Sequence, residues 1–208
     1  MHSRSNTFTL AISVLVAALG CSQPGAGPSA DRSDSTAREE PKPASSFTTE
    51  VNAEVSETLP FADQTSFERA RRGLIAPLQD TLVKGEAGNV VWDTSIYDFV
   101  REGGPAPDTV NPSLWRQVQL LNISGLFEIT DGVYAVRNQD AANMTIIEGE
   151  KGITLVDPMM SVETSRAGLQ LYFEHRGVKP VVAVIVTHCH IAHYGGIRGV
   201  VSQEDVDA

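Results

Sequence analysis

The stretch Val181-Val182-Ala183-Val184-Ile185-Val186-Thr187-His188-Cys189-His190-Ile191-Ala192-His193-Tyr194-Gly195-Gly196 decides how this chain is read. Its first six residues are apolar and mostly β-branched, which predicts a buried strand. Three of the chain's five histidines follow within six residues. Side chains two apart at a strand end point the same way, so His188 and His190 can chelate one ion. His193, three further on, can reach the same ion or a neighbour. Neutral imidazole is the commonest ligand of zinc-like ions, and this spacing concentrates it. An isolated histidine such as His175 reads instead as a satisfied polar residue. Cys189 alternates with the two histidines and is expected to face the packed layer as a small hydrophobe. Should the loop bend, it becomes a thiolate ligand. Gly195-Gly196 permits a close turn after the ligands.

Working upstream, Leu126 to Arg137, Met144 to Glu148 and Ile153 to Asp157 read as strands, with turn chemistry at Asp131-Gly132 and Gly149-Glu150-Lys151-Gly152. Ser161 to His175 reads as a helix, capped by Ser161, with Glu163 in its first turn and His175-Arg176-Gly177 closing it. The order strand, helix, strand predicts that Ile153–Asp157 and Val181–Val186 are parallel neighbours in an α/β sheet with helices outside. Asp157 then ends its strand near the histidine loop. There it either orients an imidazole or the loop backbone, or is a plain strand-end turn acid. Ser202-Gln203-Glu204-Asp205 carries the signal of a further helix start.

His188-Cys189-His190-Ile191-Ala192-His193 is one residue from the His-x-His-x-Asp-His signature of the metallo-β-lactamase fold. Phe61-Ala62-Asp63-Gln64, Phe67 to Leu78, Val90-Val91-Trp92-Asp93, Thr109 to Gln117, Gly125 to Glu128, Gly132-Val133-Tyr134, Asn143 to Gly149, Val156-Asp157-Pro158 and Gly196 to Val200 extend the match. Together these resemble the bacterial binuclear-zinc alkyl sulfatases over about residues 60 to 206. The resemblance implies the αβ/βα metallo-β-lactamase fold, of which only the first half is expected here. It also implies zinc-assisted hydrolysis of alkyl sulfate esters such as dodecyl sulfate, by water activated between two metals. Homodimers are implied for the family, with the dimerisation region expected beyond Ala208, as are the remaining ligands and the substrate pocket.

The chain departs from that pattern at Ala192, where the family has Asp. Its methyl can neither ligate a metal nor accept a hydrogen bond. The resemblance assigns His188 and His190 to one metal and positions 192 and 193 to the second, so His193 is left without its carboxylate neighbour. One zinc or none is therefore expected, held by His188 and His190 with partial help from His193. Two other readings stay open: a non-enzymatic surface lipoprotein remnant that binds a metal or a partner, and another metallo-hydrolase such as a lactonase or lactamase.

Residues 1–21 read as a lipoprotein signal: Arg4 precedes the apolar Phe8 to Leu19, which is too short to span a bilayer. Ala18-Leu19-Gly20-Cys21 resembles a lipobox, and the alternative is an ordinary cleaved signal with a stray cysteine. Lipidation of Cys21 and Ser22 after it place the expected protein in the periplasm, anchored by lipid at the outer membrane. Residues 22–60 read as a disordered linker, rich in Ser, Pro, Ala, Gly and Glu, with seven acids against three bases between Ser22 and Leu59. Residues 61–208 are then the truncated N-terminal part of the metallo-β-lactamase-like domain. Ser66 to Leu78 reads as a packing helix with solvated Arg69, Arg71 and Arg72, kinked or ended by Pro77. Trp92 and Trp115 are assigned to packing, Trp115 in a helix opened by Ser113 after Pro112. A net charge of −10 argues against nucleic acid as a partner, and no glycine-rich phosphate loop is present.

Overall fold

The computed structural model describes residues 42–78, 81–100 and 104–207. The signal segment, Cys21 and linker residues 22–41 lie outside these described residues. The expected linker extends to 60, but Ser46–Thr58 is a helix, α1, and the folded unit starts at Lys42 rather than at 61. Ser45 caps α1 by accepting from the Thr48 N–H. No residue of α1 is buried, so composition made it look like a tether. What docks it is polar: the Asn52 amide donates to the Asp108 and Val110 carbonyls at 2.9 and 3.3 Å.

The helix expected over 66–78 is shorter. Helix α2 covers Thr65–Arg71 and Leu74–Ala76 is a strand, β1, paired with the later strand at Phe127 and Leu126. Gly73 makes the change of direction at φ +74, where an added Cβ would sit 2.0 Å from the Glu128 carbonyl oxygen. A separate two-stranded ribbon, β2 (Leu82–Lys84) and β3 (Val90–Asp93), follows. Helix α3 spans Pro112–Leu121, and Asn111 rather than Ser113 caps it, accepting from the Ser113 N–H at 2.9 Å.

The main sheet then runs β4 (Gly125–Thr130), β5 (Val133–Arg137), β6 (Met144–Glu148) and β7 (Ile153–Val156) as an antiparallel meander. Helix α4 (Val162–Arg176) crosses over, and β8 (Val181–Ile185) joins β7 in parallel register, as the α/β reading expects. The six strands lie in the order β1-β4-β5-β6-β7-β8. Leu126, Tyr134, Val136, Met144, Ile146, Ile153 and Leu155 occupy alternate positions on one face, fully buried, and Leu169 and Tyr172 of α4 pack on them. Ser161 and Thr164 form a reciprocal capping box that sets where α4 begins. Helix α5 covers Gln203–Asp207, with Ser202 and Asp205 exchanging bonds at its start.

The expectation of a buried strand at Val181–Val186 does not hold. Val182, Ile185 and Val186 are 55, 49 and 39% exposed, because β8 is the outermost strand and only its Val181 and Val184 pack against the core. An apolar run reports what a strand can bury on both faces, not what covers it.

Glu148 fastens the meander to α4 and to the turn before β8. Its Oε1 accepts from the Tyr172 hydroxyl at 2.6 Å and lies 2.7 Å from Lys179 Nζ and 3.5 Å from Arg176 Nε. Burial works against its ionisation, yet Lys179, Tyr172 and Arg176 together carry the carboxyl from the usual 4.5 down to about 2. A carboxylate with a depressed folded pKa stabilises the fold above its unfolded value and loses that contribution as pH falls through the folded one. Glu148→Gln is therefore expected to cost about 2 kcal/mol at neutral pH, after screening of the half-exposed cations. Urea denaturation between pH 7 and pH 2 should show the wild-type advantage shrink below about pH 4.5. An advantage that is constant over this range would contradict the assignment.

Candidate metal centre

The site begins where β7 stops. Asp157 takes φ +55, a left-handed conformation that aspartate tolerates better than most residues, and its N–H still bonds the Ile185 carbonyl of β8 at 2.9 Å. This turn aims its carboxylate at the loop after β8. One oxygen accepts from the Thr187 N–H at 2.8 Å; the other accepts from the Thr187 hydroxyl at 2.8 Å and lies 2.9 Å from His193 Nδ1. Burial raises the cost of its charge, but the Thr187 N–H, His193 and the Thr187 hydroxyl outweigh it and hold the carboxyl below its ordinary range.

Those bonds dictate which imidazole nitrogens carry protons. The Thr187 hydroxyl gives its proton to Asp157, so its oxygen accepts from His188 Nδ1, 2.9 Å away. In the neutral ring this leaves His188 Nε2 with a lone pair, and it faces His190 Nδ1 at 3.0 Å. His193 Nδ1 lies 2.9 Å from the same carboxylate but outside hydrogen-bond geometry, so that contact does not set its tautomer. The His188 and His193 ring centroids are 3.9 Å apart. The three histidines named from the sequence thus come together, and Asp157 lies beside them.

Two nitrogens bound to one tetrahedral zinc lie about 3.3 Å apart. The 3.0 Å separation of His188 Nε2 and His190 Nδ1 is a hydrogen bond in which His190 donates, and it is close to that edge, so an ion taken by this pair would displace the shared proton. A complete cage is a different matter: among the described residues no group of three or more His, Cys, Asp or Glu side chains is arranged to hold an ion. Ala192, half-buried between the ligand candidates, supplies no donor. Cys189, expected to fill the packed layer, is exposed instead, because the edge strand it follows has no layer over that face among the described residues.

Asp140, absent from the residues singled out above, holds the neighbouring turn. It is 5% exposed and accepts from the Ala142 N–H, the Met160 N–H and the Thr164 hydroxyl at 2.9, 2.8 and 2.5 Å. Its one visible signal is an acid in a short Asn-Gln-Asp turn between two strands, where Asx turns are common. Beyond the histidines, the chain folds back onto the segment from β7 to α4. An added Cβ on Gly195 would lie 2.1 Å from the Met160 carbonyl oxygen, and one on Gly196 2.1 Å from that of Pro158.

Residues 137–208 match the metallo-beta-lactamase superfamily. A linear primary-alkylsulfatase from Pseudomonas sp is 53% identical over 204 residues, which is 98% of this chain and 28% of that protein. The alkyl/aryl-sulfatase BDS1 of Saccharomyces cerevisiae is 49% identical over 159 residues, 76% of this chain and 24% of that protein. The solved structure of the stereoselective inverting sec-alkylsulfatase Pisa1 from Pseudomonas sp. superposes with a TM-score of 0.75 at 54% identity, covering 81% of this chain and 26% of that one. The chain spans about a quarter of the length of these relatives.

Gly196→Ala is expected to cost about 2–4 kcal/mol, because its methyl would collide with backbone that α4 holds in place. Gly88→Ala, at φ +79 with nothing within 4 Å of the added carbon, is expected to cost about 1 kcal/mol from conformation alone. Denaturant midpoints of the two variants compare the terms directly, and equal losses would remove the close-approach argument.

Proposed function

We propose that this chain, homologous to the N-terminal portion of alkylsulfatases and carrying their metallo-beta-lactamase segment, serves zinc-dependent hydrolysis of alkyl sulfate esters. The observation that carries the reading is the convergence of His188 Nε2 and His190 Nδ1 at 3.0 Å, on a loop fastened by Asp157. Zinc, when bound, supplies Lewis acidity that activates water and polarises a sulfate ester. His188 and His190 would hold it. Thr187 fixes the His188 tautomer, and Asp157, bonded to Thr187, lies 2.9 Å from His193 Nδ1 beside the pair. The exposed position of His188 and His190 leaves room for a bulky ester to approach.

Ala192 favours a second reading, in which the chain binds a metal or a partner without turnover. The two differ in what zinc does. A lipid anchor on Cys21, periplasmic exposure at the outer membrane, and the homodimer implied for the family complete the proposal. They are supported by the Ala18-Leu19-Gly20-Cys21 sequence and by the resemblance.

Zinc content by plasma mass spectrometry is expected at no more than about one ion per chain, falling to background in His188→Ala/His190→Ala. Full zinc retention in that double variant would remove the site. Sulfate release from dodecyl sulfate that depends on the two histidines supports the hydrolase, whereas zinc binding without release supports the second reading. Ala192→Asp is expected to raise zinc stoichiometry only when the chain is joined to the remaining length of a relative.

A further inference from the structure

Between β3, α3 and the end of β5 lies a cavity of about 500 Å³ that the histidine site does not use. That volume is typical of small-molecule pockets. Its apolar wall is Trp92, Tyr97, Val118 and Leu121, two of which expose unusual area: Leu121 is 58% and Tyr97 37% accessible. Its polar wall is Arg137, Asn138 and Asn143.

The polar wall is rich in donors. The Trp92 indole N–H is buried without a hydrogen-bond partner among the described residues, a costly state that an incoming acceptor would relieve. Asn143 uses its carbonyl oxygen to accept from the Asn138 N–H at 3.2 Å, which leaves its NH2 group to donate. Arg137 is fixed by one bond to the Ala70 carbonyl at 3.0 Å and lies over the Phe127 ring at 4.3 Å. No ion pair of Arg137 occurs among the described residues. The carboxylate in the lining, Asp140, is turned to the Ala142 N–H, the Met160 N–H and the Thr164 hydroxyl. In a chain of net charge −10, a cation and free donors facing an apolar wall select one kind of ligand.

We propose that this cavity binds an anionic amphiphile, its hydrocarbon along Trp92, Tyr97, Val118 and Leu121 and its head on Arg137, Asn143 and the Trp92 N–H. The site is separate from the histidines. Strand β5 is three strands from β8, about 14 Å across the sheet, although the two run the same way and finish at the same end of it. The link between the two sites is Asp140, which lines the cavity and bonds Met160, whose carbonyl packs against Gly195. An alkyl sulfate and an alkyl carboxylate share the required chemistry.

Tryptophan emission is titrated with decanesulfonate and decanoate below their micellar concentrations, with decyl maltoside and decyltrimethylammonium as neutral and cationic controls. A saturable shift is expected with the anions, lost in Trp92→Phe. Leu121→Glu, at a position more than half exposed and checked for folding by circular dichroism, should weaken binding at least tenfold. His188→Ala/His190→Ala should leave the affinity unchanged, so failure of zinc binding and failure of this site are separate results. Tighter binding of the sulfonate marks a sulfate-ester ligand and tighter binding of decanoate a carboxylate, each in support. An equal response to neutral or cationic decyl chains, an unaltered affinity in Leu121→Glu, or loss of binding in the histidine double variant would each overturn the proposal.

Discussion

The Asp157 carboxylate accepts from the Thr187 N–H and hydroxyl at 2.8 Å each and lies 2.9 Å from His193 Nδ1, so the ends of β7 and β8 and the histidine turn share one anion. This arrangement requires the left-handed backbone at Asp157, the parallel register that places Ile185 opposite Val156, and a threonine directly before the first histidine. Remove the carboxylate and the loop keeps its glycine contacts but loses the bonds that choose the His188 tautomer. The position of the histidine loop and the tautomer of His188 are therefore set by one side chain.

A second anchor reinforces it from the other side. Asp140, buried in the β5–β6 turn, grips the Met160 N–H and the Thr164 hydroxyl, and Thr164 is also a member of the capping box of α4. The start of α4, the turn after β7 and the glycine segment after the histidines are thus packed into one block. Two aspartates hold the loop and turn around the histidines, while Glu148 at the opposite end of β6 holds α4 and Lys179. The same residue type does different work because the partners differ.

Much of this was legible in the residues. The meander, the α4 crossover, the parallel β7–β8 pair and the grouping of His188, His190 and His193 follow from alternation, capping signals and spacing. Reading failed where composition and environment part company. Helix α1 looked like a tether because it buries nothing, and its docking rests on two amide bonds that no periodicity reveals. Residues Leu74–Ala76 continue a helical pattern of apolar spacing, but Gly73 breaks it and β4 offers them a ladder. Alternation points Cys189 inward and an unbroken apolar run does the same for β8, but neither signal says what lies over a side chain. Asp140 was missed because its importance lies in three partners far apart in sequence.

The sheet also has a history written into its connections. Strands β4 to β7 join neighbours through short turns, contacts that a chain can make with little loss of loop entropy. Two pairings reach further: β1–β4 joins Ala76 to Leu126, and β7–β8 waits for the whole of α4 to form and swing across. The histidine loop hangs on one of these longer pairings, beside an outermost strand of the sheet, where local opening costs little. An ion bridging its imidazoles would act as a latch, stabilising that end of the sheet by the free energy of its binding.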